Sequence, residues 1–220
     1  MQIILLILLI IVEDFLRMAE EQKITFKLFD RYDVSEVLIS DEGMKEVINI
    51  SPHLSLKSYG RNVGKGSAMK VNVVERLMNK LAVAGHRGKK HKIEFGRSTG
   101  KYTTNMGTIL KVLDMLEKST GKNPIQVLVT AIEHAAPRDE TTVIEYGGAR
   151  YPQAVDVSPT RRLNVALRNL VHGGSDRAFN KKKTIVQGLA EEIKLAYESN
   201  GESAALKKKN EIEKQADSAR

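Results

Sequence analysis

The sequence predicts a mainly α-helical fold: a six-helix, bundle-like domain with one β-hairpin projecting between its third and fourth helices. Three observations carry this. After Ser67, apolar residues recur at helical spacing in successive stretches. A confident period-two pattern occurs once, on both sides of Gly147-Gly148. Aromatics are only 5% of the chain and Trp is absent, so core volume has to come from Leu, Ile, Val, Ala and Met, which suits packed helices.

In order, Val73 or Val74, Leu77, Met78 and Leu81 form the stripe of a first helix, with Arg76, Asn79 and Lys80 on another face and Gly85 as its stop. A basic loop follows, with Arg87, Lys89, Lys90 and Lys92. The second helix runs from about Thr104 to Thr120 on Met106, Ile109, Leu110, Leu113 and Leu116, and Gly121 ends it. Asn123 and Pro124 are a cap and first-turn pair for a third helix, 125–136, which is apolar nearly all round and so belongs at the centre of the core. Residues 139–157 make the hairpin, Gly147-Gly148 supplying the positive φ of a tight turn. Ser158 and Pro159 open a fourth helix whose stripe is Leu163, Ala166, Leu167, Leu170 and Val171. Gly173-Gly174 reads as its end, and Arg161, Arg162 and Arg168 lie off the stripe. A fifth helix from about Lys181 to Tyr197 uses Ile185, Leu189 and Ile193, and a charged sixth follows Gly201.

The organisation expected is one domain, 68–220, preceded by an extended arm, 18–67, with a short helix near Asp41. Ile3 to Val12 is an unbroken aliphatic run followed by Glu13 and Asp14. It is shorter than the ~20 apolar residues a membrane span needs and lacks the positive n-region of a secretory signal. From Met18 the chain reads as an ordinary polar N-terminus. Residues 1–17 are therefore expected to be an extension of the gene model, which an intact-mass measurement decides.

Lys and Arg number 35 against 27 Asp and Glu, a formal charge of +8. The excess lies after Ser67, where 27 basic residues face 17 acidic ones, and it points to a polyanionic partner. Without Cys there is no disulfide framework or thiolate metal site, in keeping with a cytoplasmic setting. No metal or other cofactor is expected, because the five His residues show no ligand spacing. The stretch Gly60 to Ser67 has the glycines and Lys65 of a phosphate loop but the wrong spacing, with no apolar strand before it. Glu191-Glu192 lies among lysines and reads as an ion-pair face. An enzyme is thus not expected, and an RNA-modifying one would need a cofactor motif or polar catalytic cluster.

Four basic clusters stand out as phosphate contacts: Arg76 with Lys80; Arg87, Lys89, Lys90 and Lys92; Arg161 with Arg162; and Lys181, Lys182 and Lys183. Few aromatics argue for recognition of RNA shape and backbone over base stacking. A basic DNA-binding architectural protein is the alternative, with the hairpin and the lack of a dimer seam against it.

Asn-Pro-Ile-Gln-Val-Leu-Val-Thr-Ala-Ile-Glu at 123–133, Pro-Arg-Asp-Glu at 137–140 and Gln-Ala-Val-Asp-Val-Ser-Pro-Thr-Arg-Arg at 153–162 closely resemble one family, small-subunit ribosomal protein number seven in its archaeal and eukaryotic form. Val74-Glu75-Arg76-Leu77 and Lys207-Lys208-Lys209 fall in matching order. The resemblance implies binding to the 3′ major domain of small-subunit rRNA, nucleation of head assembly, and neighbours among head and platform ribosomal proteins, exit-site tRNA and mRNA. It implies no membrane partner and no homo-oligomer. Its RNA surfaces are the first and fourth helices, the hairpin and the terminal extensions, which here points to Arg76, Lys80, Arg161, Arg162, Arg168 and, on the hairpin, Arg150. Ile144-Glu145-Tyr146 stands where relatives are often more basic, so that strand is a poor phosphate clamp.

Overall fold

The computed structural model describes residues 27–53, 56–59, 64, 66–87, 90–91 and 100–220. The expected extension 1–17, most of the glycine-rich stretch 60–67, and Lys89 and Lys92 lie outside the described residues. Six helices longer than two turns are present among those described: α1 Val73–Leu81, α2 Tyr102–Thr120, α3 Pro124–Ala135, α4 Pro159–Ala178, α5 Ile185–Tyr197 and α6 Ala204–Asp217. Strands β1 His86–Arg87 and β2 Lys90–His91 form a short ladder, while β3 Asp139–Tyr146 and β4 Ala149–Asp156 form the hairpin between α3 and α4. The mainly helical architecture is the one the periodicities predict.

Local chemistry accounts for most of the boundaries. The side chains of Asn72, Asn123 and Ser203 accept hydrogen bonds from first-turn backbone N–H groups of α1, α3 and α6. Gly121 ends α2 in the left-handed conformation, at φ 65°. Helix α3 is the centre of the bundle: Ile125, Val127, Leu128, Val129, Ala131, Ile132 and Ala135 are fully buried, and α2, α4, α5 and α6 pack around it. Full burial of each larger side chain contributes roughly 1.5–3 kcal/mol.

Two helix boundaries differ from expectation. Helix α4 continues through Gly173-Gly174 to Ala178. These glycines are there for packing: a Cβ at Gly173 would lie 2.7 Å from Glu192 Cδ, and one at Gly174 would lie 2.8 Å from Leu189 Cα. They let α5 lie directly on α4. Helix α5 in turn starts at Ile185, because Thr184 and Gln187 form a reciprocal capping box, leaving Lys181, Lys182 and Lys183 in the connection.

Residues 27–53 and 56–58 are a layer of the core and no free arm. Leu28, Tyr32, Val34, Val37, Met44, Val47, Ile48 and Leu56 are buried in the same cluster as the helices. The backbone is irregular: it reverses at 29–31, where Phe29 and Asp30 take positive φ and Leu28 bridges to Tyr32, turns again at 35–36, and winds into one short helix, Glu42–Lys45, capped by Asp41. Side chains of the bundle satisfy its peptide groups, since Gln126 Oε1 accepts from Leu38 N at 2.8 Å and Glu133 Oε1 accepts from Ser40 N and Asp41 N at 2.7 and 3.0 Å.

Candidate nucleic-acid interface

At its N-terminus α4 forms, with the end of α1, an open groove of about 290 Å³ lined by Lys80, Ser158, Thr160, Arg161, Asn164 and Arg168, with Val165 at its base. Arg161, Asn164 and Arg168 share a face because they stand three and seven residues apart on one helix. The first N–H groups and positive dipole end of α4 open onto the same place, and Ser158 makes no side-chain cap bond of its own. Lys80 and Arg168 carry no ion pair among the described residues.

The positive field at this groove registers on a neighbour the sequence reasoning overlooked. His172, one turn beyond Arg168 on α4, has its pKa pushed down to about 4, first by burial and then by Arg87, Arg168 and Lys80, with Asp176 opposing. Because the folded pKa lies below the ordinary 6.5, the unfolded chain takes up a proton between pH 6.5 and 4 that the folded chain refuses. This stabilising contribution is therefore present above pH 6.5 and lost as pH falls toward 4. Relative to H172Q, the protein is expected to lose about 1 kcal/mol more stability between pH 7 and pH 5, a figure reduced for the half-exposed ring. Urea midpoints of both proteins at the two pH values check this, and parallel losses would contradict it.

The other expected contacts divide sharply, and several are corrected by the structure. Arg76 is buried, 7% exposed, on an α1 that packs on nearly every side. Its Nη2 donates to Asn164 Oδ1 at 3.2 Å and its Nη1 faces the Val47 carbonyl at 3.5 Å, so it braces the core and is out of reach of a phosphate. Arg162 is likewise structural, its Nη2 donating to Asp41 Oδ2 at 2.6 Å and its Nε to the Pro137 carbonyl at 3.2 Å. That bond holds the Asp41 carboxyl below the usual carboxylate range. Arg87 donates to Asp176 Oδ2 at 2.6 Å and to the His172 carbonyl at 2.9 Å, pinning the β1–β2 ladder to α4. Lys90 is Arg87's backbone partner in that ladder. Arg161 lines the groove but is forked onto Glu140, whose carboxyl it holds low.

Lys181, Lys182 and Lys183 follow the C-terminus of α4, which lies about 15 Å of helix beyond Arg168. Lys181 and Lys182 are exposed, and Lys183 is engaged by Glu191 at 2.8 Å. Arg150 stands exposed on the hairpin, 3.6 Å from Glu145. The structure thus brings together Lys80, Arg161 and Arg168 on the groove, with Arg76 and Arg87 close behind but engaged by Asn164, Asp176 and the His172 carbonyl. Ser158, Thr160 and Asn164 complete the groove; their signal in the sequence was the three-and-four-residue spacing around Arg161 and Arg168. Among the described residues no three His, Asp or Glu side chains converge as a metal site, and no helix is long and apolar enough to cross a membrane.

Comparison with known proteins agrees with this architecture. The family model for ribosomal protein S7p/S5e matches residues 45–220. The small ribosomal subunit protein uS7 of Nanoarchaeum equitans is 46% identical over 198 residues, covering 88% of this chain and 98% of that protein. The uS7 proteins of Thermoplasma volcanium and Cenarchaeum symbiosum are 41% and 38% identical, covering 88% and 92% of this chain and the whole of each relative. By the extent of these matches the chain belongs to the ribosomal protein S7p/S5e family, structural proteins of the ribosome's small subunit with no enzymatic role.

Proposed function

We propose that the protein binds the 3′ major domain of small-subunit rRNA in the cytoplasm, nucleates assembly of the subunit head, and sits beside head and platform proteins and exit-site tRNA and mRNA. The observation that carries the RNA contact is the groove: Lys80 and Arg168, two cations without an ion pair among the described residues, converge with the open N-terminus of a 20-residue helix. Phosphate oxygens fit this arrangement, taking ionic contacts from the two side chains and hydrogen bonds from Ser158 and the first turn. The wider placement in the subunit rests on membership of the family.

Reversing both groove cations, K80E with R168E, is expected to weaken binding to a 3′ major domain fragment by ten- to a hundredfold or more. It should also lower the slope of log affinity against log salt by about 2, since each lost phosphate contact removes close to one released counterion. Both side chains are solvent-facing, so the circular dichroism spectrum should stay native. Undiminished affinity in the folded variant would remove the groove from the interface, and equal displacement by duplex DNA would favour the DNA-binding alternative.

A further inference from the structure

The β3–β4 ribbon carries chemistry that the groove does not use. It is an isolated two-stranded sheet, and its outer half is exposed on both faces. The register sets Ile144 opposite Tyr151 and Tyr146 opposite Ala149. Alternation therefore collects Ile144, Tyr146 and Tyr151 on one face, and Val143, Glu145, Arg150 and Pro152 on the other. Tyr146 and Tyr151 are diagonal neighbours, with Cα atoms about 7–8 Å apart in such a pair. They leave 82% and 60% of their surface open to solvent. Two of the six tyrosines in the chain thus stand out of the core within six residues of each other, in the exposed outer half of a ribbon against which α6 also packs.

We propose that Tyr146 and Tyr151 form a stacking platform for unpaired bases of single-stranded RNA. This rests on the reading of the chain as an RNA-binding constituent of the small subunit, and gives the chemistry of the ribbon's contact. Charge rules against a phosphate clamp here, because Asp139, Glu140, Glu145 and Asp156 face one cation, Arg150, itself beside Glu145. Three of those carboxylates are neutralised, Asp139 by Arg220, Glu140 by Arg161 and Glu145 by Arg150, so little repulsion is left to oppose a nucleic acid. Aromatic faces accept any base and need no charge. Gly147 and Gly148, at φ 58° and 82°, turn the chain without side chains and leave the tip slim. Strand β4 also leads through Val157 directly into Ser158 on the groove wall. The ribbon is therefore continuous in the chain with the wall of the groove that presents Lys80 and Arg168.

A purely structural role, Tyr151 packing across the strands on Ile144, is separated by choosing isoleucine, which keeps strand propensity and removes the π face. The full-length chain is titrated at low salt with a single-stranded RNA octamer containing 2-aminopurine, whose fluorescence is quenched on stacking, and in parallel with the 3′ major domain fragment. The wild type is expected to quench. Y146I/Y151I should lose the quenching and bind the octamer about tenfold more weakly per ring, with fragment affinity and circular dichroism unchanged, while Y146F/Y151F keeps all of these. Quenching that survives in the isoleucine variant overturns the proposal. So does photocrosslinking confined to protein when p-benzoylphenylalanine replaces Tyr146 in reconstituted subunits, since that outcome would assign the face to a protein partner. Quenching by a wild type that ignores the rRNA fragment would instead sink the rRNA reading and leave the platform standing.

Discussion

Replacing Gly188 by alanine is expected to destabilise the domain by about 2–4 kcal/mol, although alanine is favoured over glycine inside a helix by roughly 1 kcal/mol. The sign is set by the crossing of α4 and α5. A Cβ at Gly188 would lie 2.5 Å from the Gly174 carbonyl oxygen and 3.3 Å from Ala178 N, both backbone atoms of α4 that cannot rotate aside. The two helices would have to part, opening the contact of Leu189 on Gly174 and loosening the core behind it. Gly107→Ala in α2, where a Cβ meets nothing within 4 Å, serves as the control and should be neutral or mildly stabilising. Urea denaturation of both variants decides the matter, and a G188A midpoint equal to that of the wild type would show that the crossing is not tight.

A loss of similar size, about 3–5 kcal/mol, is expected for Glu192→Ala, because it strips the partner from charges and donors held inside the fold. Glu192 is completely buried. Its Oε2 accepts from Arg177 Nε at 2.7 Å, and its Oε1 accepts from Ser203 Oγ and Ala205 N at 2.7 and 2.9 Å. One carboxylate therefore joins α4 and α5 to the first turn of α6, whose positive dipole end it also meets. Removing it takes the acceptor from Arg177 Nε, Ser203 Oγ and Ala205 N, with only the Glu202 carbonyl left to Arg177, so amide exchange should rise first across 204–217. The adjacent Glu191, paired to Lys183 at the surface, should cost less than ~1 kcal/mol on the same change. If E191A and E192A prove equally mild, α6 is held by its apolar residues alone.

These two sites mark where sequence reasoning reached its limit. The stripes of α2 and α3, the Asn123-Pro124 start and the Gly147-Gly148 turn were legible because periodicity and capping are local. Gly173-Gly174 was misread as a helix end because glycine signals either a left-handed cap or a close crossing, and only α5 distinguishes them. Glu192 looked like half of a solvated acidic pair, since neighbouring residues on a helix point about 100° apart and the burial of one depends on α6. Among the basic residues, Arg168 stands exposed and Lys80 partly exposed at the groove, in keeping with their places off the apolar stripes. The engagement of Arg76, Arg87 and Arg162 was not legible, because their acceptors lie 25 to 121 residues away and leave no pattern in the sequence. Leu28, Tyr32, Val34 and Val37 likewise follow neither period, since side chains of α3 and not a strand partner satisfy much of that segment's backbone.

The layer formed by residues 27–53 and 56–58 also orders events in time. Its tethers reach far along the chain: Tyr32 to Asp114 spans 82 residues, Ser40 to Glu133 spans 93, and Asp41 to Arg162 spans 121. At roughly 5–20 residues per second of synthesis, about 6–24 seconds separate the emergence of Asp41 from that of Arg162. During that interval Met44, Val47 and Ile48 have no bundle to cover them, whereas α4 and α5 meet almost as soon as they are made. The earliest segment of the described chain consequently waits longest between its synthesis and its seating, and its apolar side chains need shelter on the nascent chain until α4 is out.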